Sequence, residues 1–148
     1  MGFEIKRFEE LSTTELYEIL RLRVAVFVVE QDCAYQDLDD NDQDAMHIFC
    51  RDGAGRISAY LRLFWKDHDE TGGTVQIGRV VTLERGKGLG GLILREGMRV
   101  AKENLQANRI FLEAQEYATG FYTREGFKVV SEPFLEDGIP HVKMELEL

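Results

Sequence analysis

Arg85-Gly86-Lys87-Gly88-Leu89-Gly90-Gly91 joins a segment with strand-like alternation, 74–82, to one with helical periodicity that runs to about Asn104. A strand entering a helix through glycines leaves the first helical N–H groups without partners, at the positive end of the helix dipole. Glycine also removes the Cβ atoms that would hold an anion away. The turn therefore reads as a phosphate cradle, with Arg85 and Lys87 adding charge; the plainer alternative is a tight turn with solvated basic residues. A Walker-type loop needs Gly-Lys-Ser or Gly-Lys-Thr, and here Gly91 is followed by Leu92, so that motif fails. Gly86, Gly88 and Gly91 do satisfy the dinucleotide fingerprint G-x-G-x-x-G, with Glu113 about twenty residues on. That fold, however, places its fingerprint in the first of several βαβ units, and here it follows an antiparallel meander.

Working towards the N-terminus, 74–82 is the third strand of that meander, and Gly78 within it predicts a bulge or a close backbone approach. A polar loop, 66–73, precedes it. Segments 47–51 and 57–65 form a hairpin around Asp52-Gly53-Ala54-Gly55. Ser12-Thr13-Thr14-Glu15 is a capping box that starts a helix reaching about Val28, after a short strand at Phe3 and Ile5. Residues 30–45 break the pattern. Towards the C-terminus, the second helix turns Leu89, Leu92, Ile93, Val100 and Ala101 inward, and a strand follows at 110–114. A short helix at 118–125, capped by Gly126, leads to closing strands at 127–134 and 141–148. The order β-α-β-β-β-α-β-α-β-β predicts an α/β (α+β) fold: a mixed, mostly antiparallel central sheet with helices on both faces and one parallel βαβ crossover.

With 148 residues, 44% of them hydrophobic and only two prolines, the chain is expected to fold as one compact domain, 1–148. A net charge of -9 opposes binding to nucleic acid or an anionic membrane. Cys33 and Cys50 have no Cys-x-x-Cys spacing, which suits neither a disulfide framework nor zinc and fits a reducing cytoplasm. No secretion signal is expected at the N-terminus, and the longest apolar run, 24–29, is too short to span a membrane. A calcium loop counted from Asp37 fails, because Asp42 stands at position six and Ile48 at position twelve. No metal is expected.

Arg85-Gly86-Lys87-Gly88-Leu89-Gly90 also fits the pattern Arg or Gln, two residues, Gly, one residue, Gly or Ala. Ala118-x-x-Phe121-Tyr122-x-x-x-Gly126-Phe127 follows it. With these motifs and the element order, essentially the whole chain resembles the GNAT superfamily of N-acetyltransferases. The stretches 22–31, Ile77-Gly78-Arg79-Val80-Val81 and Glu136-Asp137-Gly138-Ile139-Pro140-His141 resemble its ElaA-like branch, small bacterial acetyltransferases. Two departures stand out: the link from Val81 to Arg85 is shorter than usual, and Gln115 replaces the Asn many relatives carry after the strand.

The resemblance implies acetyl-CoA as cosubstrate, its pyrophosphate on Arg85, Gly86, Lys87, Gly88, Leu89, Gly90 and Gly91 and its pantetheine arm beside Val80 and Val81. Gln115 and Tyr122 complete that site. Direct transfer to a primary amine of a small-molecule acceptor needs a donor for the oxyanion, a proton for the thiolate and a base. The resemblance gives the first to the backbone N–H of Val81 and the second to Tyr122, whose phenol is protonated at pH 7; a core tyrosine is the alternative reading. Glu113, Glu30 and His47 are the candidate bases. Glu30 and Arg79 are candidate acceptor-binding residues, although an arginine in an apolar strand is more often paired internally. His141 is expected to fix the loop after Pro140. Cys33 and Cys50 lack a base partner, which disfavours an acyl-cysteine route. The acids between Glu30 and Asp44 form either a solvated loop or a negative wall that would concentrate cationic amines. A non-catalytic acyl-CoA-binding or regulatory module is the reading from another class, and a homodimer is compatible with the resemblance.

Overall fold

The computed structural model describes residues 2–148. In chain order the elements are β1 (Glu4–Arg7), α1 (Thr13–Val24), β2 (Met46–Arg51), β3 (Ile57–Asp69), β4 (Gly72–Thr82) and α2 (Leu89–Arg99). They continue with β5 (Arg109–Gln115), α3 (Thr119–Arg124), β6 (Lys128–Val129), β7 (Phe134–Glu136) and β8 (Ile139–Glu147). The strands form one sheet in the order β1-β2-β3-β4-β5-β8-β6, with β7 on β8. Only β4 and β5 run parallel, joined through α2, so the fold is the expected mixed α/β sheet with one crossover.

Local chemistry starts and extends the helices. At α1, Ser12 Oγ accepts from Glu15 N at 3.0 Å while Glu15 Oε1 accepts from Ser12 N at 2.8 Å, which satisfies donors the helix itself cannot. Both long helices then widen into a π-helical turn, Ala25–Glu30 after α1 and Val100–Asn104 after α2. Leu92 is exposed rather than inward, because the buried phase of α2 runs through Ile93, Leu94 and Gly97. Gly97 lets α2 lie close on β3, since a Cβ there would come within 2.9 Å of Leu61.

Two further expectations change. The loop at 66–73 is strand: β3 reaches Asp69 and β4 begins at Gly72, in a ribbon exposed over 67–71 whose sequence carries no apolar alternation. The strand expected at 127–134 is instead two short pieces, β6 and β7. Between them Pro133 has no N–H to donate, and Ser131 Oγ takes the Lys143 N–H at 2.9 Å in place of a ladder bond.

Strand alternation divides the core. Ile48, Leu61, Ile77, Ile110, Leu112 and Met144 pack with Ile93, Leu94 and Val100 on the α2 side. Phe49, Tyr60 and Val81 pack with Ile19 and Leu22 of α1 on the other. The bulge lies one residue beyond Gly78. Gly78 opposes Arg62 and Val81 opposes Tyr60, leaving Arg79 and Val80 together opposite Leu61, with Arg79 at φ +52°. β4 pairs with β5 only from Thr74–Gln76 to Arg109–Phe111, and from there the strands part.

Candidate functional site

Where β4 leaves β5 a cavity of about 920 Å³ opens. It is lined by the turn at Gly86–Gly91, by Gly78 to Thr82, and by Glu113, Gln115, Tyr122 and Glu136. At one end Gly88 caps α2 at φ +74° without a side-chain hydrogen bond, so the first helical amides are left for a ligand. A Cβ built at Gly78, Gly86 or Gly88 meets no atom within 4 Å, so each would project into open space. This end fits the diphosphate of a coenzyme. The two cations of the turn are paired, Arg85 with Glu30 and Lys87 with Glu84 at 3.0 Å. All four are exposed, and such pairs are weak enough to exchange for phosphate. Glu30 lies on a neighbouring hollow with Gln31, Tyr117 and Ile139, outside the main cavity.

The strand phase revises one assignment. Leu83 N–H donates to Ser58 O across to β3 at 2.9 Å. In an antiparallel ladder every second residue points the same way, so Val81, opposite Tyr60, directs its N–H to β3 and not to the cleft. Val80, in the bulge, has the opposite phase and faces the gap left by β5.

Tyr122 projects from α3 between Phe121, at 4.9 Å between ring centroids, and Phe127, at 5.9 Å. Burial, and then the nearby Tyr117, hold its phenol well above the ordinary tyrosine value. Its hydroxyl has no hydrogen-bond partner among the described residues, so it is not the backbone-satisfied core tyrosine of the alternative reading.

The cleft opens through the sheet. Ile110, Leu112 and Ala114 of β5 face the α2 core, so Glu113 and Gln115 face the opposite side. There Glu113 meets Glu136 of β7. Burial, then the Glu113 charge and a hydrogen bond between the two carboxyls, raise the Glu136 carboxyl. His141 Nε2 lies 3.7 Å from Glu136 Oε2, and its Nδ1–H donates to Ile139 O at 2.7 Å, which holds the loop as expected. Gln115 exchanges amide hydrogen bonds with Gln31 at 3.2 and 3.1 Å. Glu136 and Gln31 were not singled out as site residues from sequence; the stretch 136–141 was read only as a branch resemblance.

Of the seven acids of 30–44, Asp37 and Asp42 are buried, while Glu30, Asp32, Asp39, Asp40 and Asp44 are exposed. Arg23, fully buried in α1, binds Asp37 at 3.0 Å and Asp42 at 2.7 Å. Arg62 binds Asp42 at 2.9 Å and Asp39 at 2.5 Å, and Arg79 binds Asp37 at 2.8 Å and Asp39 at 3.4 Å. Three aspartates and three arginines cancel, and Asp32, Asp40 and Asp44 stay exposed, so this loop is solvated only in part. Arg79 still lines the cavity, with its guanidinium engaged by this network.

His47 is removed as a base. It is fully buried, and its Nε2–H donates to Asp42 O at 2.9 Å while its Nδ1 accepts from Tyr60 OH at 2.7 Å. Burial lowers its affinity for a proton. A depressed histidine contributes stability above its unfolded value, about 6.5, that is lost as pH falls towards the folded value. We therefore expect the stability difference between wild type and His47→Gln, measured by thermal unfolding, to narrow between pH 7.5 and 5.5. A difference independent of pH would contradict a neutral His47.

Residues 13–148 match the acetyltransferase (GNAT) domain family. A UPF0039 protein of Schizosaccharomyces pombe is 43% identical over 100% of this chain and 98% of its own length. ElaA of Escherichia coli is 38% identical over 94% of this chain and 92% of its own. Its crystal structure superposes with a TM-score of 0.88, covering 99% of each chain. An acyl-CoA N-acyltransferase from Pseudomonas aeruginosa superposes at 0.87 with 37% identity, covering 98% of this chain and 99% of its own. The parted β4 and β5, the uncapped glycine turn and these matches over nearly the full length lead to one conclusion: the chain belongs to the GNAT acetyltransferase family, among the relatives of ElaA and the UPF0039 proteins.

Proposed function

We propose that the protein is an N-acetyltransferase that moves an acetyl group from acetyl-CoA directly to a primary amine of a small, cationic acceptor. The observation that carries this reading is the placement of three groups on one cleft. The anion-binding turn is at one end, the unpartnered Tyr122 phenol lies on the α2 side, and the Glu113–Glu136 pair lies on the far side. Donor and acceptor would thus reach the gap between β4 and β5 from opposite faces of the sheet.

In this mechanism the carboxyl pair takes a proton from the acceptor's ammonium, directly or through water. The amine nitrogen then attacks the thioester carbon. The developing oxyanion is held by main-chain N–H of the β4 bulge at Val80, next to the Val81 position first assigned. As the C–S bond breaks, Tyr122 gives its proton to the sulfur, and the second proton of the attacking nitrogen is lost to water, from which the phenol is restored. Since Arg23, Arg62 and Arg79 pair with Asp37, Asp39 and Asp42, the acids that line the acceptor side of the cavity outside this network are Glu113, Glu136 and Asp137. Their charge favours a cation.

Acetyl-CoA consumption with matched cationic, neutral and anionic amines tests the reading. The cationic amine should give the highest kcat/KM, with a preference that weakens as salt rises. Because the Glu136 carboxyl is raised, kcat/KM should climb with pH along an acid limb above the ordinary glutamate range, and Glu136→Gln should remove that limb. Preference for an anionic amine would overturn the acceptor class. Binding of acetyl-CoA without turnover of any amine would instead support a non-catalytic binding module.

A further inference from the structure

Arg79 occupies φ +52°, a region that residues carrying a Cβ disfavour, at one of the two places where the β3–β4 register shifts. Such a conformation persists only where its surroundings over-determine it. Here the surroundings converge on Asp37, with Asp39 Oδ2 a longer acceptor for Arg79 Nη2 at 3.4 Å. Asp37 Oδ1 accepts from Arg79 Nε at 2.8 Å and its carbonyl oxygen accepts from Arg79 Nη2 at 2.9 Å. Asp37 is itself 3% exposed, held by Arg23 Nε at 3.0 Å and by Tyr35 OH at 2.8 Å, and the Tyr35 ring lies under the Arg79 guanidinium at 5.6 Å. The bulge is thereby tied to the fully buried Arg23 of α1, on the acceptor side of the sheet. Removing one partner of a buried ion pair strands the other charge and destabilises the fold.

We infer that Asp37 is a positioning residue. Acting through Arg79, it holds the β4 bulge in the offset that turns Val80 N–H into the cleft. The inference rests on the acetyl-transfer reading, since it concerns the donor to the thioester oxygen, and it separates the two tasks of the Asp37 contacts. The bond to Arg23 maintains stability, and the bond to Arg79 maintains the bulge. Glycine adopts positive φ without an anchor, so Arg79→Gly should make the second task unnecessary.

The test compares wild type with Asp37→Asn, Arg79→Gly and the double variant, following kcat, melting temperature and the HN–Hα coupling of residue 79 or 80 by NMR. Asp37→Asn should lower kcat about 10- to 100-fold, at or below the loss expected from deleting an oxyanion donor outright. It should also lower the melting temperature and change the coupling. Arg79 lines the cavity, so Arg79→Gly sets its own reference kcat. The double variant should match that reference, the Asp37→Asn loss having vanished, while its melting temperature falls below that of Arg79→Gly, because Arg23 lacks its partner. A double variant slower than Arg79→Gly by the factor that separates Asp37→Asn from wild type, or an Asp37→Asn as fast as wild type, would overturn the inference. An absence of turnover in the wild type would strike the acetyl-transfer reading itself, and in that case an unchanged coupling in Asp37→Asn would separately refute the role of Asp37 at the bulge.

Discussion

Tyr122→Phe is expected to lower kcat by roughly 10²- to 10⁴-fold while leaving the affinity for acetyl-CoA near that of wild type. The phenol faces a cleft, has no partner in the protein and is raised by burial, so it is protonated throughout the neutral range. A proton on this group is of no use to bound thioester in its ground state; it matters only as negative charge builds on the departing sulfur. Removing the hydroxyl should therefore fall on kcat rather than on binding. Packing should hardly change, because phenylalanine keeps the ring that stacks edge-on with Phe121 and Phe127. Single-turnover rates and acetyl-CoA dissociation constants for both proteins check this. Unchanged turnover would place the proton donation in solvent and remove Tyr122 from the chemistry.

Gly88→Val is expected to abolish the rise in melting temperature that acetyl-CoA produces. At a ligand concentration a hundredfold above Kd, binding to the native state alone stabilises by about 2.7 kcal/mol. For a chain of this size that corresponds to roughly 5–10 °C. Valine at this position suffers twice. Its β-branched side chain must adopt φ +74°, and its Cβ projects into the open space that the diphosphate needs. The first effect lowers the melting temperature of the free protein, and the second removes the increment on adding acetyl-CoA, so a scan with and without ligand separates them. A retained increment would move the anion site away from the α2 N-terminus. A larger increment with NADH than with acetyl-CoA would reverse the identity of the donor.

Much of this was legible in the residues because the signals are local. The Arg85–Gly91 turn announces uncapped amides through its glycines alone, the Ser12–Glu15 capping box acts over one helical turn, and Val142, Met144 and Leu146 mark a half-buried strand by their spacing. The crossover between the third strand and 110–114 followed from the order of elements. The gap beside β4, and Tyr122 near it, came only through the resemblance of the two motifs to the GNAT superfamily.

What the chain could not disclose one-dimensionally is which charges meet. Asp37, Asp39 and Asp42 look like a solvated acidic loop, and only the folding of 31–45 across the sheet onto Arg23, Arg62 and Arg79 ties them into one ion-pair network, with Asp37 and Asp42 buried. Partners separated by 14 to 42 residues leave no periodicity to read. Glu113 and Glu136 likewise become a pair only because β8 carries the β7 hairpin back beside β5. The phase of Val81 against β3 has the same origin. A one-residue bulge inverts strand phase, and it falls at Arg79, one residue beyond the glycine that marked the segment. Helix starts, strand alternation and the phosphate turn were thus determined by the sequence through interactions within a few residues. The cancellation of charge, the carboxyl pair and the direction of a single N–H were decided by tertiary structure, because each depends on distant segments being brought within hydrogen-bonding distance.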